Sequence, residues 1–151
     1  MTYKVAVLMG SPNDMTKMQP AADTLEGFGV EVDVQVMSAH RTPDKVTALA
    51  SSARDSGYVA IICGAGRAAH LAGVVAAHTT LPVIGVPLSG GALNGVDALY
   101  STVQMPNGIP VATVAVDGSV NAALLVVEML AIGDAELKAA LDRDRTERAG
   151  A

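Results

Sequence analysis

Val5-Ala6-Val7-Leu8-Met9-Gly10-Ser11-Pro12 is an unbroken apolar run closed by a turn. A strand covered on both faces needs apolar residues at every position, so this run reads as a buried strand of a parallel sheet. Pro12 suits the first turn of a helix, and Asp14 adds the negative charge that a helix N-terminus favours. Met18, Ala21, Ala22, Leu25 and Phe28 then recur on one helical face, until Gly27 or Gly29 ends it. The same unit repeats downstream. Further strands are expected at Val32–Met37, Tyr58–Cys63, Pro82–Val86 and Val111–Val116. Helical patterns lie between them: one from the Thr42-Pro43 N-cap to about Ser56, and an Ala-rich one to about His78. A short helix precedes Gln104-Met105-Pro106, and another covers Asn121–Ile132. This alternation defines an α/β fold: a flavodoxin-like, doubly wound, five-stranded parallel sheet in three α/β/α layers. From Asp134 to Arg148 nine of 15 residues are charged, yet Leu130, Leu137 and Leu141 keep helical spacing. That pattern predicts an extra C-terminal amphipathic helix, about 134–148, with an apolar stripe for docking on a neighbouring subunit.

Length and composition narrow the functional classes. A chain of 151 residues, 50% hydrophobic and 17% charged, is expected to form one domain, 1–151, with a sizeable core. The net charge is −5, and the aromatics are only Tyr3, Phe28, Tyr58 and Tyr100. Neither a basic nucleic-acid-binding face nor a base-stacking platform fits that composition. Cys63 is the lone cysteine, which excludes an internal disulfide. His, Cys, Asp and Glu show no metal-ligand spacing, so no metal is expected. Without a signal-like start or a bilayer-length apolar run, a cytoplasmic protein with no membrane partner is expected.

In an open parallel sheet, ligands bind beyond the carboxyl ends of the strands. Gly10–Asp14, Ser38–Pro43 and Gly64–His70 fall there. Gly10-Ser11 opens a helix whose free N–H groups suit a phosphate, although the same residues also make an ordinary capped turn. Asp14 either accepts hydrogen bonds from ligand hydroxyls or only supplies helix-terminal charge. Arg41 carries the planar fork that binds phosphate, and His40 beside it can exchange a proton near neutral pH. Ser38 offers its hydroxyl to a ligand or to the helix entry. Gly64-Ala65-Gly66 lets backbone approach a ligand closely. It is no dinucleotide fingerprint, because Ala69 stands where the third glycine would be. His70 is a second polar group at the pocket or a histidine with a structural partner. Cys63 reads as a small buried apolar residue, and no chemistry is expected of His78.

Met9-Gly10-Ser11 with Asp14, Ser38-Ala39-His40-Arg41-Thr42-Pro43, Gly64-Ala65-Gly66 and Ala68-Ala69-His70-Leu71, in that order, resemble the N5-carboxyaminoimidazole ribonucleotide mutase family. This is also the catalytic-subunit family of phosphoribosylaminoimidazole carboxylase. Gly85-Val86-Pro87, Gly95-Val96-Asp97, Val103-Gln104-Met105-Pro106 and Asn121-Ala122-Ala123-Leu124-Leu125 extend the resemblance over nearly the whole chain. It implies an isomerase of purine biosynthesis that needs no cofactor, acts on a ribonucleotide and assembles as a homo-octamer with active sites at subunit contacts. It also implies a transient contact with the ATP-dependent enzyme that makes the substrate. Asp14 would hold the ribose, Arg41 the phosphate, and His40 would be the catalytic acid and base. The substrate-binding set expected from the loops and the resemblance together is Ser11, Asn13, Asp14, Ser38, Ala39, Arg41, Gly64, Ala65, Gly66, His70 and Leu71.

Four positions depart from the family pattern: Asn13 for a common serine, Met15 for tryptophan, Arg67 for glycine and Ala72 for proline. Arg67 puts a charge either beside the carboxylate pocket or pointing away from it. Gly-Arg is also familiar from related carboxylases that use free carbon dioxide, but here Arg67 precedes Ala68-Ala69-His70, which favours the mutases. The implied reaction moves a carboxylate from the exocyclic nitrogen to C4 of the imidazole through enclosed carbon dioxide. Two other classes with this fold lose on specific residues. An electron carrier wants aromatics around a flavin, and a phospho-receiver wants an aspartate where Cys63-Gly64 stands.

Overall fold

The computed structural model describes residues 1–151. One sheet contains β1 (Lys4–Met9), β2 (Glu31–Val36), β3 (Tyr58–Gly66), β4 (Val83–Leu88) and β5 (Ala112–Thr113), in the spatial order β2-β1-β3-β4-β5. Every pairing is parallel. The helices are α1 (Met15–Gly27), α2 (Pro43–Ser52), α3 (Leu71–Ala77), α4 (Val96–Val103), α5 (Ser119–Ala131) and α6 (Ala135–Ala149), with a 3-10 turn at Pro12–Asp14 leading into α1. This is the flavodoxin-like strand order, as the alternation of apolar runs predicts. No helix is long and apolar enough to cross a membrane.

The period-2 alternation of β1 divides the core. Val5, Val7 and Met9 point to one face, where Met18 and Leu25 of α1 and Val126 and Val127 of α5 cover them. Ala6 and Leu8 point to the other, beneath Val46 and Ala50 of α2 and Leu71 and Val75 of α3. Each large apolar side chain so buried contributes about 1.5–3 kcal/mol. Small residues set how near the helices come. A Cβ at Gly64 would collide with the Met18 thioether, so α1 lies closer to β3 there than any other residue would permit.

Several boundaries differ from the sequence reading. β3 runs past Cys63: Gly64, Ala65 and Gly66 pair with Val86, Pro87 and Leu88, so the glycine segment is strand and β4 lengthens to match. Ladder pairing between two central strands overrides the weak strand preference of glycine. β5 shrinks to two residues at the sheet edge, where only β4 pairs with it. Beyond it, Val114 and Asp117 still donate N–H bonds to Gly85 and Pro87 carbonyls, at 3.1 and 2.8 Å. α2 stops at Ser52, and a turn closed by left-handed Gly57 (φ 84°) returns the chain to β3. Pro43 opens α2 as expected, but Thr42 does not cap it. Its hydroxyl accepts from Ser38 N–H at 2.8 Å and donates to Ser38 O at 3.2 Å.

Asp134 caps α6, its carboxylate accepting from the N–H groups of Glu136 and Leu137 at 3.0 and 3.1 Å. Leu137 is buried in the chain's own core, with Leu130 and Leu141 half-buried against it. The apolar stripe is therefore seated largely within the subunit.

Candidate active site

Register brings the site together. Met9 of β1 pairs with Val36 of β2 and with Gly64 of β3, so the segments leaving these strands emerge side by side. They wall a cavity of about 590 Å³, together with Ser89, Gly90 and Gly91 after β4. A larger cavity of about 800 Å³ lies beside the start of β4, lined by residues such as Arg54, His78 and Thr80. We assign the chemistry to the smaller one. It stands at the carboxyl edge, where free backbone groups, both arginines of the strand ends and an imidazole converge.

Ser11, Asn13, Asp14, Ser38, Ala39, His40, Arg41, Ala65, Gly66 and Leu71 all line this cavity. Gly64 does not. It is buried beneath Met18, and its carbonyl accepts from Gly10 N–H at 3.3 Å, tying the first loop to β3. His70 is not part of the cavity wall either. It reaches the site through His40, whose Nε2 lies 2.6 Å from His70 Nδ1, with the rings edge-on at 85°.

Local hydrogen bonds shape each loop. Ser11 caps the 3-10 turn, its Oγ accepting from Asn13 N–H at 3.2 Å. Ser38 Oγ accepts from His40 N–H and Arg41 N–H at 3.2 and 3.1 Å, so it is the turn former that presents both side chains. Asp14 is half-buried. Burial raises its pKa, outweighing the opposing Lys17 charge and a backbone contact from Ser11. Met15 packs against the core, and Ala72 is buried in α3.

The fourth wall was missing from the sequence reading, which followed only three strand ends. Ser89–Gly91 obeys the same rule, since it leaves β4 at the carboxyl edge. Two residues hold it that carried no signal in sequence. Lys17 Nζ donates to Ser89 O at 2.6 Å and to Ser89 Oγ at 2.9 Å. The Asp117 carboxylate accepts from Ser89 N–H at 2.9 Å and from Ser89 Oγ–H at 2.5 Å. Burial alone would raise the Asp117 pKa, but these bonds and nearby Lys17 outweigh it and the net shift is downward. Arg67 also lines the cavity and adopts the left-handed conformation (φ 54°), at the position where the family pattern has glycine.

Fold and site define a class: a flavodoxin-like α/β subunit with an arginine-lined, histidine-bearing cleft at the carboxyl edge of its sheet. The AIR carboxylase family pattern matches residues 4–150, and the chain belongs to that family. It is 52% identical over 144 residues to the N5-carboxyaminoimidazole ribonucleotide mutase of Pyrococcus abyssi, covering 95% of this chain and 83% of that one. It is 55% identical over 130 residues to the phosphoribosylaminoimidazole carboxylase of Saccharomyces cerevisiae, covering 86% of this chain and 23% of that one. The crystal structure of Treponema denticola PurE superimposes with a TM-score of 0.89 at 29% identity, covering 99% of this chain and 93% of that one.

Proposed function

We propose that this protein is an N5-carboxyaminoimidazole ribonucleotide mutase, forming 4-carboxy-5-aminoimidazole ribonucleotide for purine biosynthesis. The observation that carries the reading is His40 in the cavity wall, paired with His70 and next to Arg41, with Asp14 lining the same cavity. Arg41 and the Ser11 turn hold the phosphate. Asp14 accepts from the ribose hydroxyls, and Ala39, Ala65, Gly66 and Leu71 bound the imidazole.

Protonated His40 gives its proton to the exocyclic nitrogen as the N–C bond breaks. The bonding pair stays on nitrogen, and carbon dioxide departs. C4 of the electron-rich ring then attacks carbon dioxide, forming the C–C bond. Neutral His40 removes the C4 proton and restores the aromatic ring. One imidazole thus serves as acid and then base, and the pocket's remaining task is to keep carbon dioxide beside its acceptor.

That confinement supports the homo-oligomeric reading, an octamer with sites at subunit contacts. In the single subunit His40, Arg41 and His70 are exposed, so a second copy would close the cavity. Leu93, Val96, Tyr100 and Val103, on and just before α4, are exposed apolar residues suited to such a contact.

The test supplies fresh N5-carboxyaminoimidazole ribonucleotide without ATP, metal or bicarbonate and follows the C4-carboxylated product. Rapid formation establishes the mutase, and H40N should then abolish turnover while substrate still binds. The yeast relative's name favours a second reading, direct carboxylation of aminoimidazole ribonucleotide. Product from that compound plus bicarbonate, with none from the N5-carboxylated one, would replace the mutase reading.

A further inference from the structure

We propose that Arg67 contacts the substrate directly and holds the carboxylate that migrates, opposite the phosphate held by Arg41. This rests on the function proposed above and adds to it a substrate contact that glycine at this position cannot make. Three observations carry it.

Arg67 is a non-glycine residue in the left-handed region, a conformation that costs backbone energy and is kept where surrounding structure enforces it. Here the enforcement is visible. Ser101 Oγ of α4 accepts from Ala69 N–H at 2.9 Å, while its own hydrogen goes to Asp97 O at 2.7 Å, which ties the turn after Arg67 to α4.

The side chain is laid across Gly91. Arg67 Nε is 3.1 Å and Cγ 3.5 Å from where a Cβ of Gly91 would stand, and Gly91 itself has φ 67°. The stem therefore rests on bare backbone of the fourth wall, at the rim of the cavity it lines. Its guanidinium has no hydrogen bond or ion pair within the chain, so its donors are free for a ligand.

Charge and placement select that ligand. Arg41 follows β2 and Arg67 leans on the segment after β4, with β1 and β3 between those strands in the sheet. Asp14 is the cavity's single acidic residue. A ligand with an anionic group at each end fits this layout, and the proposed substrate has a phosphate at one end and a carboxylated ring at the other. With the phosphate on Arg41 and the Ser11 turn, the carboxylate falls to Arg67.

Aminoimidazole ribonucleotide separates the possibilities, because it has the phosphate and lacks the carboxylate. The R67G variant should raise KM for the N5-carboxylated substrate about tenfold, the scale of one charge-assisted hydrogen bond, while binding of aminoimidazole ribonucleotide stays within about twofold of wild type. Its thermal midpoint should not fall, since glycine suits φ 54°. R67K, which keeps the stem and the charge but loses the fork, should lie between, and it serves if R67G folds poorly. Equal weakening for both compounds would move Arg67 to the phosphate and overturn the proposal, as would no change for either. If wild-type protein itself fails to convert the N5-carboxylated substrate, the functional reading fails first and this proposal with it.

Discussion

His40 Nε2 and His70 Nδ1 stand 2.6 Å apart, a separation that admits one hydrogen between them and excludes two. Of the two facing nitrogens one therefore donates and the other accepts. When His70 Nδ1 carries the shared hydrogen, His70 donates and fixes the tautomer of His40.

H70N is therefore expected to lower kcat about a hundredfold, within the range for general acid–base steps, and to shift the pH profile of kcat. Substrate affinity should change little, because His70 does not line the cavity. A lowered kcat with an unmoved pH profile would make His70 a packing residue only.

Asp14 is expected to serve as an ionised acceptor for ribose hydroxyls. D14N should raise KM about tenfold, the cost of losing a hydrogen bond to a charged group, with kcat little changed. Burial raises the Asp14 pKa, so substrate affinity of the wild type should fall on acidification before an ordinary carboxylate would titrate. D14N should lack that acid limb. The folded state takes up this proton more readily than the unfolded chain, so ionised Asp14 lowers stability at neutral pH, and D14N should not reduce the thermal midpoint.

The Asp117 contact with Ser89 anchors the fourth wall, and its pKa moves the other way. A carboxyl whose folded pKa is depressed adds stability above its unfolded pKa, near 3.9, and loses it as pH falls toward the folded value. D117N should be less stable than wild type at pH 7, and the difference should vanish in the acid range below that pKa. Asparagine tolerates the left-handed φ of 59° at this position, so the comparison isolates charge from backbone strain. Thermal midpoints of both proteins across pH check this.

Gly64 and Met18 form the tightest helix-on-sheet contact named above. G64A should destabilise the protein by about 1–3 kcal/mol in denaturant unfolding, the usual cost of overpacking. Trimming the neighbour in G64A/M18A should cost less than the sum of the single changes, since the second substitution removes the clash made by the first. Additive costs would mean that the strain lies in the backbone of β3.

The layers, the strands and most of the residues that wall the cavity follow from the local pattern of the chain. Val5–Met9 is apolar at every position, which only a two-sided burial explains, and the observed core splits along that run. The turns at Ser11 and His40 could be placed because each follows a strand and carries residues with specific chemistry. Tertiary structure alone decided the contacts that depend on distant pairings. Ladder bonds with β4 turned Gly64–Gly66 from loop into strand. Sheet order brought Lys17 and Asp117, far apart in the chain, onto Ser89. It also set His70 against His40, and the Arg67 stem across Gly91. Local propensity has no term for any of these, because each exists only after the parallel strands have been registered side by side.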